Sequence, residues 1–313
     1  MCTVEVKRYS KDILKKLNSN EDILDSNNDV FDINVEYGKV HSIFSKSLNI
    51  KLDSKIINII GNVNMNLPFS IEVDDEVLEY IVYNVEIDDE IILNKKTNQI
   101  IFSDIGLTIN LSDKYYECIL NKKEPKIDIL QNNIKLLISF IENHNIDNGF
   151  LSSNKEILEA IIQNRYSQPD DFYNNINELK KSIVNNTIKE DSFNYFIGRG
   201  KGLTPSGDDL FLGLISFLKS SNKDNVSESL YKYLNIYGTK MTTDISLEYL
   251  KYGCKGKVGH LINNLCESVK NEETHIIEEN LKKVSQKGHT SGIDTILGVL
   301  LGMICVIDKE KII

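Results

Sequence analysis

A β domain followed by an all-helical domain, an α+β arrangement, is the fold class this sequence predicts, and three observations predict it. From about Phe31 to Leu120, short β-branched runs are cut by turn residues, the pattern of an antiparallel barrel or sandwich. Past Pro125 the apolar residues recur at helical spacing to the end of the chain. Neither half alternates strand with helix, which disfavours a doubly wound dinucleotide-binding core. At 313 residues there is chain enough for two domains that each bury a core, with the boundary between 122 and 123.

In chain order, residues 8–18 predict a short helix, and the polar stretch Ser19 to Asn28 a loop. Strands are expected over Ile33 to Val35, Val40 to Phe44, Ile56 to Ile60, Phe69 to Val73, Tyr80 to Ile87, Ile91 to Leu93, Ile100 to Phe102 and Leu107 to Leu111. Side chains of these types suit a pleated, half-buried surface. Asn94-Lys95-Lys96-Thr97-Asn98 reads as a hairpin turn. Helices are expected over 127–144, 153–164, 171–187, 206–220, 226–251, 258–270, 274–287 and 292–307, with a loop at Ser220 to Asn225. Leu210 to Leu218 and Ile296 to Ile307 are apolar on nearly all faces, so both helices belong in the centre of the domain.

Composition excludes several function classes. A net charge of -10 and a pI near 5.1 argue against wholesale phosphate-backbone binding, so no nucleic-acid partner is expected and any anion site is local. The five cysteines are scattered and without CxxC spacing, as in a reduced, cytoplasmic protein. The five histidines form no HxxxH or HxH pair, leaving zinc without support. No apolar signal core opens the chain. The run from Ile296 to Ile307, about 12 residues, falls short of the roughly 20 that span a bilayer, so a soluble protein with neither membrane span nor cofactor is expected.

The C-terminal half writes one short phrase twice. Gly202-Leu203-Thr204-Pro205-Ser206-Gly207-Asp208-Asp209-Leu210-Phe211-Leu212-Gly213 and Gly288-His289-Thr290-Ser291-Gly292-Ile293-Asp294-Thr295-Ile296-Leu297-Gly298 align without a gap from Ser-Gly onward. Each sets small and hydroxylic residues before an apolar run, as at a buried helix N-terminus whose backbone N–H groups attract anions. Two such ends predict a divided site for negative charge at two places. The loop Ile197-Gly198-Arg199-Gly200-Lys201-Gly202 leads into the first copy; its glycines let a ligand approach the main chain, and Arg199 and Lys201 add two cations.

It is not a nucleotide loop. Gly202 and Gly207 have Walker spacing, but Asp208 and Asp209 stand where Lys and Ser/Thr belong. Thr204 is placed to cap a helix with Pro205 at its first position. Asp209 and Asp294 each follow a serine by three residues, the spacing of a capping box. Capping does not require Gly207 and Gly292, which weaken a first turn by about 1 kcal/mol each; they predict space for a ligand or a facing helix. His289 is placed to donate to a carboxylate or carbonyl, or to shuttle a proton. His41-Ser42 reads as strand, and Thr239, Thr243 and Ser246 share a helix face. No nucleophilic triad assembles.

These phrases, with weaker likeness at His41-Ser42-Ile43-Phe44, Asn49, Pro68-Phe69 and Ser246 to Leu250, resemble the AllH-like family. That family is linked to oxamate carbamoyltransferase, an assembly that also contains AllF or FdrA-like and AllG-like subunits. The resemblance implies a subunit that interconverts oxalurate plus phosphate with oxamate plus carbamoyl phosphate, in anaerobic allantoin or purine nitrogen use. On that basis Gly202, Thr204, Ser206 and Gly207 are assigned to one anion, and Gly288, Thr290, Ser291 and Gly292 to the other. Arg199, Gly200 and Lys201 belong to the phosphate side, while Asp208, Asp209, Asp294 or His289 orient groups or move protons. Two alternatives stand beside this: a non-catalytic anion-binding scaffold or regulatory subunit, and a metal-dependent hydrolase with Asp208, Asp209 and Asp294 as ligands.

Overall fold

The computed structural model describes residues 2–13, 34–53, 55–62, 66–111, 113–143, 148–150, 153–162, 171–271 and 273–310. The chain divides into two compact units, Met1–Cys118 and Ile119–Ile313.

The first unit is built on one mixed sheet. Its elements are β1 (Cys2–Glu5), β2 (Arg8–Ser10), β3 (Val35–Phe44), β4 (Ser47–Leu52), β5 (Lys55–Ile60), β6 (Ser70–Glu72), α1 (Asp75–Asn84), β7 (Glu90–Asn94), β8 (Gln99–Phe102), β9 (Leu107–Asn110) and β10 (Tyr115–Tyr116). The sheet order is β1-β9-β8-β7-β3-β4-β5-β6-β2-β10. β1 and β2 lie on one short segment yet pair near opposite ends of that order: β1 with β9, β2 with β6. Between them Val6 N–H donates to Asn110 O at 3.0 Å and Lys7 N–H to Glu72 O at 2.9 Å. The N-terminal segment thereby curls the sheet toward a barrel. The sheet is mixed, not purely antiparallel, because β1–β9, β5–β6 and β2–β10 run parallel.

Inward residues such as Leu48, Ile50, Ile59, Ile71, Ile91, Ile100 and Ile109 are wholly buried. The turn at residues 95–98 joins β7 to β8 as expected. Tyr80 to Ile87 is not a strand. Residues up to Asn84 belong to α1, which buries Leu78 and Ile81 and carries Asp75 and Glu76 in its first turn, where acids favour the helix dipole. Its β-branched and aromatic content misled the sequence reading; Tyr80 and Tyr83 face solvent. Of the helix expected over 8–18, residues 8–10 are strand, 11–13 are helical and the rest lies outside the described residues, as do the loop at Ser19 to Asn28 and Ile33.

The second unit is helical: α2 (Ile127–Asn143), α3 (Asn154–Ile162), α4 (Asp171–Val184), α5 (Glu190–Phe196), α6 (Ser206–Ser220), α7 (Ser227–Met241), α8 (Asp244–Cys254), α9 (His260–Ser268), α10 (Thr274–Ser285) and α11 (Ser291–Glu310). The short α5 was not expected. The helix expected over 226–251 is two, because Thr242 is extended and Thr243 caps α8, its hydroxyl accepting from Ser246 N–H at 3.1 Å. The polar Thr242-Thr243 pair offers the backbone this alternative to continuing the helix.

α6 and α11 run parallel through the centre. Ser291–Asp308 is long and apolar enough to cross a membrane by composition, but 83% of it is buried inside this unit, as befits a core helix. The helices meet backbone to backbone. A Cβ on Gly213 would lie 2.1 Å from Thr295 O, and one on Gly298 would lie 2.0 Å from Leu210 O. Each glycine stands seven residues beyond its motif serine, and each carbonyl four beyond, so the contact is reciprocal and brings the two helix starts level.

Candidate functional site

The two motif copies meet at those starts. Thr204 and Ser291 hydroxyls are 2.8 Å apart. The capping-box spacing is not used within either helix: α6 begins at Ser206 after Pro205, with no side-chain cap, and Thr204 turns to Ser291. The acids cross over instead. Asp209 of α6 is hydrogen-bonded by Ser291 and Thr204, and Asp294 of α11 by Ser206 and Thr290. Each carboxylate thus meets one hydroxyl of the other motif, Ser291 or Ser206, and one of its own, Thr204 or Thr290.

Both carboxyls are nearly inaccessible, Asp209 at 3% and Asp294 at 0% exposure. Burial pushes Asp209 up to about 7, against the pull of Lys287, the Ser291 hydrogen bond and the Thr204 hydrogen bond, with Asp294's charge adding to the rise. Burial pushes Asp294 up to about 6, opposed by Gly149 N–H and the Ser206 and Thr290 hydroxyls. Buried acids lifted toward neutrality can exchange a proton with a ligand near neutral pH.

Gly149 completes the Asp294 side. Its N–H lies 3.2 and 3.3 Å from the two Asp294 oxygens, and a Cβ there would strike Ser206 Oγ at 1.7 Å. Gly200 closes on the same serine: at φ +119, a conformation that L side chains rarely adopt, a Cβ would lie 2.7 Å from Ser206 N. Neither contact is legible in the motif, although Asn148-Gly149 is a turn signal.

Asp208 has a different task. It accepts from Gly198 N–H at 2.8 Å, from Ser246 Oγ at 2.6 Å and from Thr242 Oγ1, tying the glycine loop to the α7–α8 junction. Burial raises its carboxyl despite these three donors. Of the two roles expected for Asp208, orienting groups or moving protons, these bonds fit the first. The three aspartates do not converge as metal ligands: among the described residues no group of three His, Cys, Asp or Glu side chains is placed to hold a metal ion.

Of the two occupants expected beside Gly207 and Gly292, a ligand or a facing helix, the backbone of neighbouring helices is what lies there. A Cβ on Gly207 would strike Phe196 O at 1.9 Å, and one on Gly292 would strike Val284 O at 2.1 Å. Their N–H groups are occupied, donating to Arg199 O at 2.9 Å and to Lys287 O at 3.0 Å. The glycines admit the backbone at the ends of α5 and α10. Arg199 is exposed and stacks on Tyr195 at 4.2 Å. Lys201, Gly202, Gly288 and His289 are exposed, whereas Thr204, Thr290 and Ser291 are half-buried at the rim of the carboxyl pair. Cavities of about 580 Å³ beside Lys123 and Lys270 and about 470 Å³ beside Lys219 and Ser227 are lined by none of these motif residues.

Sequence reasoning missed Lys287. It stands immediately before the second motif, half-buried, its ammonium 4.8 Å from the Tyr249 ring centre. Burial lowers its pKa while Asp209 raises it. The cation stands on the turn after α10 and is attracted by Asp209, and its place beside Gly288 was the available signal.

His41 and Ser42 lie on β3. Ser42 Oγ accepts from Asn49 at 2.9 Å, and Asn49 Oδ1 from Asn58 at 2.8 Å, a polar ladder across β3, β4 and β5.

A family model described as oxamate carbamoyltransferase subunit AllH matches residues 196–303, which hold both motif copies. A second, described as the AllH family N-terminal domain, matches residues 8–115. No solved structure matches the chain.

Proposed function

The chain belongs to the AllH family, and from that premise we propose that it supplies the carboxyl pair for carbamoyl transfer between oxamate and phosphate in a cytoplasmic assembly with AllF or FdrA-like and AllG-like subunits. The observation that carries this reading is the crossed pair Asp209 and Asp294, buried at two helix starts and lifted toward neutrality.

An amide nitrogen is a poor nucleophile until it gives up a proton. In the synthetic direction the oxamate nitrogen attacks the carbamoyl carbon of carbamoyl phosphate. The new C–N bond forms, the C–O bond to phosphorus breaks, its electron pair leaves with phosphate, and the N–H proton passes to a carboxylate of the pair. In phosphorolysis of oxalurate a phosphate oxygen attacks the same carbon, and the proton returns to the departing amide nitrogen. A base that titrates near the working pH suits both directions. Hydroxyls of Thr204, Thr290 and Ser291 line the approach, and Arg199 and Lys201 lie on the loop before α6, where they attract an approaching phosphate.

One observation favours a scaffold reading: Gly207 and Gly292 serve packing and their N–H groups are already bonded. The test is formation of carbamoyl phosphate from oxalurate and phosphate by the chain alone and by the co-expressed assembly. Turnover by the assembly and not by the lone chain is expected. An assembly that forms no carbamoyl phosphate contradicts the reading.

A further inference from the structure

Two groups of opposite charge at this site lack hydrogen-bond partners. Asp209 Oδ2 is buried and receives no hydrogen bond, although the carboxyl is held by Ser291 and Thr204. The Lys287 ammonium makes no hydrogen bond or ion pair among the described residues and rests on the Tyr249 ring. Asp209 and Lys287 attract one another without closing into an ion pair. A buried carboxylate oxygen without a donor is costly, by about 1–3 kcal/mol or more, and a protein retains such a group where a ligand satisfies it.

We propose that Asp209 and Lys287 form a substrate clamp, in which Asp209 Oδ2 accepts an N–H from a primary amide and Lys287 Nζ donates to the anionic oxygen beside it. Resting on the carbamoyltransferase reading, this deepens it by assigning selectivity: the site recognises an amide adjacent to a carboxylate and rejects a ligand with carboxylates at both ends. The chemistry follows from the groups facing Asp209. Ser291 and Thr204 fix the carboxyl, Asp294 adds negative charge, and Tyr249 presents its ring to the lysine. A second carboxylate in place of the amide would set oxygen against oxygen at Asp209. An N–H there turns repulsion into a charge-assisted hydrogen bond. Thr204, Ser291 and Lys287 beside Asp209 are half-buried.

The test is calorimetric titration of the assembly carrying the full chain with two probes, oxamate and oxalate, which differ in one end group. Wild type is expected to prefer oxamate. Asp209→Asn replaces the acceptor with an amide able to donate, and is expected to shift the oxamate-to-oxalate affinity ratio by about tenfold or more toward oxalate. Lys287→Met is expected to weaken both probes about tenfold, and Lys287→Arg, which keeps the charge, to retain oxalate binding. An unchanged ratio in Asp209→Asn, or wild-type oxamate affinity in Lys287→Met, overturns the clamp. Carbamoyl phosphate formation by the wild-type assembly is measured alongside. Turnover with an unchanged ratio sinks the clamp and leaves the function standing, whereas a shifted ratio without turnover supports the clamp and sinks the function.

Discussion

Replacing Asp209 with Asn should stabilise the helical unit at neutral pH. In the folded chain burial lifts this carboxyl from 3.8 to about 7, so between those values the native state holds a proton that the unfolded chain has released. Stability contributed by the protonated form is full below the unfolded pKa and is lost as pH rises toward the folded one. At 1.36 kcal/mol per unit, the loss is about 4 kcal/mol between pH 4 and pH 7. Asn is isosteric, can still accept from Ser291 and Thr204, and has no charge to bury. Asp209→Asn should therefore match wild type near pH 4 and exceed it by about 2–4 kcal/mol at pH 8. Urea denaturation of both proteins at several pH values measures this directly, since other titrating groups are common to the two. Parallel stability curves across pH 4–8 would refute the claim that the folded chain holds Asp209 against its ionisation.

Other perturbations separate packing from chemistry. Gly298→Ala drives a Cβ to 2.0 Å from Leu210 O, and should cost about 3 kcal/mol or more because backbone cannot retreat. Gly302→Ala, whose Cβ would meet the Phe217 ring at 3.1 Å, should cost about 1 kcal/mol or less by the same assay, since a ring can shift. Asp208→Ala strips the acceptor from Gly198, Thr242 and Ser246. It should destabilise by about 2–3 kcal/mol and speed amide exchange at Gly198.

Much of this architecture could be read from residue order because local pattern and tertiary need agree. The apolar runs after Ser206 and Ser291 signal central helices, and the repeated phrase itself signals that their starts share a site. Where local pattern and tertiary structure diverge, the reading failed. Residues 80–84 have strand composition, but the spacing of Leu78 and Ile81 fits a helix packed on the sheet. The parallel pairings of β1, β2 and β5 depend on long-range closure that no short window contains. At the site, sequence spacing identified Asp209 and Asp294 but suggested that each caps its own helix. Only the parallel approach of α6 and α11 crosses them. Gly207 left a ligand or a facing helix open because the backbone that fills it, at Phe196, is positioned by folding. Gly207→Val is accordingly expected to unfold the helix pair, not merely to block a site. Lys287 escaped notice because one lysine among many carries no signal until its neighbours are known.

The carboxyl pair as the seat of proton transfer is tested most directly by the rate of carbamoyl transfer in the assembled enzyme, wild type against Asp209→Asn, measured under single-turnover conditions from pH 5 to pH 9. Loss of a general base predicts a fall of about 10²–10⁴-fold and disappearance of a rate limb near neutrality, in a protein that is more stable than wild type at pH 8. An Asp209→Asn assembly that transfers the carbamoyl group at the wild-type rate, with the wild-type pH profile, would contradict it.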